Sequence, residues 1–171
     1  MKKTIIFAPH MDDEVIGCAG IILRETREHN RVVIVYMTKD DTRKQEAMSI
    51  MKKYGLAKNL VFLNYQKMDR ETVKDALART KKIIEKENPQ EIYVTAYEGG
   101  HIVHDITNFI VNKAVKENGK TIKVYEYPTY NNYPAYMPIK IMRRYTSKYL
   151  PVRTGIFPPM FIPAKTKEMI L

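Results

Sequence analysis

Three of the four histidines stand in two short polar stretches. His10 lies in Ala8-Pro9-His10-Met11-Asp12-Asp13-Glu14, and His101 and His104 follow Tyr97-Glu98-Gly99-Gly100 far downstream. The first stretch comes directly after the β-branched run Thr4-Ile5-Ile6-Phe7, which reads as a buried strand. It is therefore the turn at a strand's C-terminal end, where open α/β sheets place their chemistry. Phosphate-cradling turns are rich in glycine, yet no glycine precedes Gly17 here. An imidazole and three carboxylates suit a cation instead. A hydrolytic zinc site takes three protein ligands and leaves a position open for water. His10 and Asp13 are spaced to reach one point. His101 and His104, also three apart, share a face on a first helical turn, and only one of them is needed to complete the set. Asp12, beside a ligand carboxylate and unable to share its direction, is placed to take a proton from water and return it to a leaving group. The remaining histidine is available to an oxyanion or a departing amine. Glu14 favours a helix N-terminus electrostatically.

The elements that must hold these residues follow from hydrophobic period and punctuation. Glu14 to His29 reads as an amphipathic helix with Val15 and Ile22 toward the sheet, and His29 as a surface cation at its C-terminus. Arg31 to Met37 is a second buried strand, Thr42 to Tyr54 a helix closed by Gly55, and Leu60 to Leu63 a short third strand. A basic helix over 69–88 stops at Pro89. Glu91 to Ala96 is the fourth strand, His104 to Asn118 a helix closed by Gly119, and Ile122 to Glu126 the fifth strand. This alternation predicts a single-domain α/β fold, a doubly wound, mostly parallel sheet of order 3-2-1-4-5. That order makes strands 1 and 4 neighbours, so the two polar turns share one crevice.

A core domain is expected over 1–126 and a different kind of segment over 127–171. Seven of the nine prolines and seven of the twelve tyrosines lie from Tyr125 onward, a composition of packed irregular loops and a candidate lid. The last residues, Lys165 to Leu171, read as a helix opening that stops early, as in a shortened chain. Of the net charge of +10, seven positive charges fall between Tyr127 and Lys167, where there is no Asp or Glu. Such a face can draw anionic substrates or a membrane surface. With no recognition motif, nucleic acid is not favoured over a solvated basic face. The opening Met1-Lys2-Lys3 runs straight into a strand too short for a signal or a membrane span. Cys18 stands alone, a small buried residue in a chain suited to the reducing cytoplasm.

The two polar stretches resemble those of the LmbE-like/PIG-L family of zinc-dependent N-deacetylases. Pro9-His10-Met11-Asp12-Asp13-Glu14 matches its Pro/Ala-His-Pro-Asp-Asp-Glu motif except at Met11. Gly100-His101-Ile102-Val103-His104 matches Gly-His-Pro-Asp-His in its glycine and both histidines. Arg43-Lys44-Gln45-Glu46-Ala47 fits the family's Arg-x-x-Glu-Ala. The resemblance spans roughly 3–124 and implies a Rossmann-like fold. It implies that His10, Asp13 and His104 bind Zn2+, that Asp12 is the general base, and that His101 stabilises the tetrahedral intermediate. Arg43 becomes a candidate substrate contact. The implied substrate is an N-acetylglucosamine-type amino sugar or glycoconjugate, anionic substituents included, and hexameric relatives make a homo-oligomer compatible. Val103, where the family carries an acid, removes a support for His101. The rival reading is a sugar- or nucleotide-binding domain that keeps the fold without catalysis.

Overall fold

Short β-branched runs and longer amphipathic segments alternate to build a layered α/β structure in the computed structural model, which describes residues 1–97 and 101–129. The strands are β1 (Lys3–Ala8), β2 (Arg31–Thr38), β3 (Leu60–Tyr65), β4 (Glu91–Thr95) and β5 (Lys123–Tyr127). Helices α1 (Asp13–Arg27), α2 (Asp41–Lys53), α3 (Arg70–Glu87) and α4 (Ile102–Asn118) connect them, with one 3₁₀ turn at Ala57–Asn59 before β3. The sheet order is β3-β2-β1-β4-β5 and every pairing is parallel. This is the expected order, and it sets β1 beside β4.

Period-two alternation explains why the strands read as continuous apolar runs. Ile5, Phe7, Val33, Val35, Ile92 and Val94 pack on one face against Ala76 and Ile84 of α3 and Ile106 and Ile110 of α4. Ile6, Ala8, Val32, Ile34 and Tyr36 pack on the other against Cys18 and Ile22 of α1 and Ala47 and Met51 of α2. A parallel sheet covered on both faces has no solvated side to mark with polar residues. Each fully buried Ile or Val contributes roughly 1.5–3 kcal/mol of burial, which fixes the strand ends where the loops emerge.

Punctuation sets the helix ends. Asp69 caps α3 in a reciprocal capping box with Thr72, and Asn88 closes it in the left-handed conformation just before Pro89. Gly119 closes α4 likewise. Several expectations change. Val15 is exposed, and α1 turns Glu14, Cys18, Ile22 and Glu25 inward instead. The helix begins at Asp13, and a residue 100° round from Glu14 cannot share its face. The third strand runs two residues further than expected, through a bulge: Tyr36 pairs with Phe62, but Thr38 pairs with Tyr65. Asn64 absorbs the additional residue at a left-handed φ of 60°. β5 takes in Tyr127. The proline- and tyrosine-rich region from residue 130 onward, with its candidate lid, and Glu98, Gly99 and Gly100 lie outside the described residues. Among the described residues no helix is long and apolar enough to cross a membrane.

Candidate metal centre and active site

The first polar turn leaves β1 at Ala8 and is tied to β2, because Pro9 O accepts from both Thr38 N at 3.1 Å and Thr38 Oγ1 at 2.7 Å. Asp13 begins α1 fully buried, and its Oδ2 accepts the backbone N–H of His10 at 2.9 Å. The second turn leaves β4 and enters α4, with His101 at the N-cap position and His104 buried one turn in. Both helix N-termini thus open onto the seam between β1 and β4, where their dipoles favour anionic groups.

The two turns meet. His10 Nδ1 is 3.2 Å from Asp13 Oδ2, His104 Nε2 is 3.3 Å from the same oxygen, and the two nitrogens are 3.3 Å apart. Three donor atoms from two distant parts of the chain therefore form a nearly equilateral triangle. Two zinc ligands at ordinary bond lengths and the tetrahedral angle stand about 3.3 Å apart. The two imidazoles can donate to Asp13 here, or, with their protons on the opposite ring nitrogens, turn their lone pairs together with that of the carboxylate on one cation. Asp13 Oδ1 is buried without a hydrogen-bond partner among the described residues, which leaves further ligand capacity on the same carboxylate. The donor set fits a metal ion. His101 offers a second set, since one ring nitrogen from each of His10, His101 and His104 falls within 4.8 Å of the others. The His10–Asp13–His104 triangle is the tighter of the two, and its edges are those of a single coordination sphere.

Electrostatics agree with an ionised Asp13. Burial opposes its charge, but hydrogen bonds with His10 and His104 outweigh burial and hold the carboxyl well below the usual carboxylate range. Its neighbour behaves oppositely. Glu14 is buried, and desolvation pushes it up to about 7 even though Tyr36 donates a hydroxyl hydrogen bond at 2.8 Å. Glu14 is thus a core hydrogen-bond acceptor under the turn, a correction to the helix-terminus role expected of it. Tyr36 was not singled out in the sequence, where it read only as one more apolar residue of a buried strand.

Asp12 occupies the N-cap position of α1 but makes no side-chain capping bond. Its carboxylate reaches across to α2, where Arg43 Nη1 donates to Oδ2 at 2.5 Å. Arg43 also stands 3.8 Å from Asp40, which caps α2. Asp12, expected to take a proton from water, is held by the arginine that the resemblance made a candidate substrate contact. Both line a cleft of about 450 Å³ at the C-terminal ends of β1 to β4. His10, Met11, His101 and Val103 line it from the turns that follow β1 and β4, and Lys39 and Gln66 from those that follow β2 and β3. Gln66 follows the β3 bulge, and Lys39 follows β2. A helix and strand reading carries no signal for either.

The sequence matches the family model described as "PIG-L: GlcNAc-PI de-N-acetylase" over residues 5–115. No curated protein matches the chain. Solved structures resemble it in fold. The N,N'-diacetylchitobiose deacetylase from Pyrococcus horikoshii, in complex with an inhibitor, is 24% identical with a TM-score of 0.56, covering 86% of this chain and 67% of that one. The zinc-inhibited form of a teicoplanin deacetylase is 14% identical with a TM-score of 0.60, covering 74% and 68%. The 4-carboxy-2-hydroxymuconate hydratase of Pseudomonas putida KT2440 is 17% identical with a TM-score of 0.58, covering 74% and 65%. The chain spans about two thirds of the length of these structures. Deacetylases and a hydratase sharing one fold show that the reaction must be argued from the site.

Proposed function

The chain belongs to the PIG-L family, and from that membership we propose that it is a zinc-dependent hydrolase that removes an N-acetyl group from an amino sugar or its conjugate. The observation that carries this reading is the triangle of His10 Nδ1, Asp13 Oδ2 and His104 Nε2 with edges of 3.2–3.3 Å. These three residues would hold the metal. Two neutral imidazoles and one carboxylate leave a bound Zn2+ with net positive charge, which polarises a carbonyl and acidifies a water.

The chain's own groups supply the remainder. Asp12 accepts the proton of the attacking water and passes it to the departing amine, so that acetate and the free amino sugar are released. Arg43 holds the Asp12 carboxylate at the cleft wall, through the 2.5 Å contact with its Oδ2. Its own exposed edge is available to a sugar hydroxyl. His101, at the N-terminus of α4 in the cleft lining, donates to the oxygen that gains negative charge as water adds. Charged and amide groups from the turns after β2 and β3 suit the hydroxyl-bearing or anionic part of a glycoconjugate.

The test is acetate release from a panel of N-acetylated amino sugars, with metal content measured on the same preparation. Zinc is titrated from stoichiometric to excess, because one structural relative is the zinc-inhibited form of a teicoplanin deacetylase. Asp12→Ala is expected to keep its metal and to lose roughly 10²- to 10⁴-fold in turnover. Undiminished acetate release by that variant would overturn the base assignment. A wild-type protein that takes up no metal would overturn the enzyme reading in favour of a binding domain.

A further inference from the structure

β5 ends on residues that reach back to the two motif turns. The Tyr127 hydroxyl donates to Phe7 O at 2.9 Å, and Tyr127 O accepts from Ala96 N at 2.8 Å. Its buried ring lies so close to α1 that a Cβ at Gly17 would stand 2.0 Å from Tyr127 Cδ2. These contacts fix the strand end against both β1 and β4. Two residues later, Thr129 Oγ1 stands 3.0 Å from His104 Nδ1. The other nitrogen of that ring, Nε2, is the one 3.3 Å from both His10 Nδ1 and Asp13 Oδ2.

A neutral imidazole that presents the Nε2 lone pair to a cation must carry its proton on Nδ1. In a fully buried ring that N–H requires an acceptor, and the bond it makes sets both tautomer and ring plane. We propose that Thr129 is a positioning residue for the metal centre. Its hydroxyl oxygen accepts the Nδ1 hydrogen of His104 and thereby aims Nε2 at the site shared with His10 and Asp13. The inference rests on the proposed role of His104 as a ligand. It also places a functional contact within the region that composition alone marks as an extension beyond the core.

The experiment measures zinc affinity by competition with a chromogenic chelator for the wild type, Thr129→Val and Thr129→Ser, alongside metal-free melting temperatures. Thr129→Val keeps the shape and removes the acceptor. It is expected to bind zinc about 10- to 100-fold more weakly while melting like the wild type when metal-free. Thr129→Ser restores the hydroxyl and is expected to bind as the wild type does. Where valine fails to fold, Thr129→Ala is read in its place with the same expected loss. Equal affinity in the wild type and the variant lacking the acceptor overturns the proposal. Loss in the serine variant as large as in valine overturns it too, because shape and not the hydrogen bond would then be responsible. Failure of the wild type to bind zinc instead removes the ligand assignment beneath it, a distinguishable result.

Discussion

Gly17 and Gly20 lie three positions apart on α1, and the same substitution at each should have opposite signs. A Cβ at Gly17 would overlap the ring of Tyr127, which cannot retreat without giving up its hydrogen bond to Phe7. Gly17→Ala is therefore expected to cost about 1–3 kcal/mol, the usual range for overpacking. A Cβ at Gly20 meets nothing within 4 Å. Gly20→Ala should stabilise the protein by about 1 kcal/mol, the helix-propensity difference in a helix interior. Chemical denaturation of the two variants checks both signs, and a neutral Gly17→Ala would mean that Tyr127 packs elsewhere. At this scale the donor residues were legible because imidazoles and carboxylates are scarce, and their spacing in two turns is conspicuous. Tyr36 and Thr129 were not legible. Each is an ordinary residue of its element until the fold sets it beside Glu14 or His104.

Helix α1 is fastened at its far end by a charged network that has no part in the chemistry. Glu25 is completely buried, and its carboxylate accepts from Lys2 Nζ at 2.8 Å, from Arg24 Nη2 at 2.7 Å and from Asn30 Nδ2 at 2.9 Å. Lys2 also reaches Glu91 at 3.2 Å, so the start of β1, the end of α1 and the start of β4 are joined. Burial raises the Glu25 pKa, but the Lys2, Arg24 and Asn30 hydrogen bonds outweigh it and leave it below the ordinary value of 4.5. A depressed folded pKa means that the unfolded chain binds the proton more tightly. The contribution is then complete above about pH 4.5 and is lost as pH falls through that value toward the folded pKa. Glu25→Gln should cost about 2 kcal/mol at pH 7 and give a shallower loss of stability in acid, measured by denaturation between pH 3 and 7. An acid limb identical to that of the wild type would exclude Glu25 from the linkage. Element order and type were readable from period and caps, since Asp69, Asn88 and Gly119 are residues whose chemistry ends helices. The inward face of α1 and the bulge at Asn64 were not. Glu14 and Glu25 look like solvent residues until buried partners are known, and a bulge changes register without changing composition.

The whole molecule converts sheet order into a site, because β1 and β4 are remote in sequence and adjacent in the sheet. That adjacency was expected from right-handed crossovers in the usual doubly wound arrangement. The 3.2–3.3 Å convergence of donors from the two loops could not be expected, because it depends on how α1 and α4 pack against the sheet. A metal bound by both loops is a cross-link present only in the folded state, so its binding free energy adds to folding stability. At a free zinc concentration 100 times the dissociation constant, the gain is about 2.7 kcal/mol. For a chain of this size that corresponds to a rise in melting temperature of roughly 5–10 °C. Chelation should reverse it. His10→Ala, Asp13→Ala and His104→Ala should each abolish most of the zinc-dependent rise, and the His10→Ala/Asp13→Ala pair should lose no more of it than either change alone. That non-additivity separates one shared ion from three independent surface sites, which would each remove about a third of the effect. A thermal-shift series across the four variants, with and without zinc, decides between the two, and independent losses would dissolve the single centre on which the catalytic reading stands.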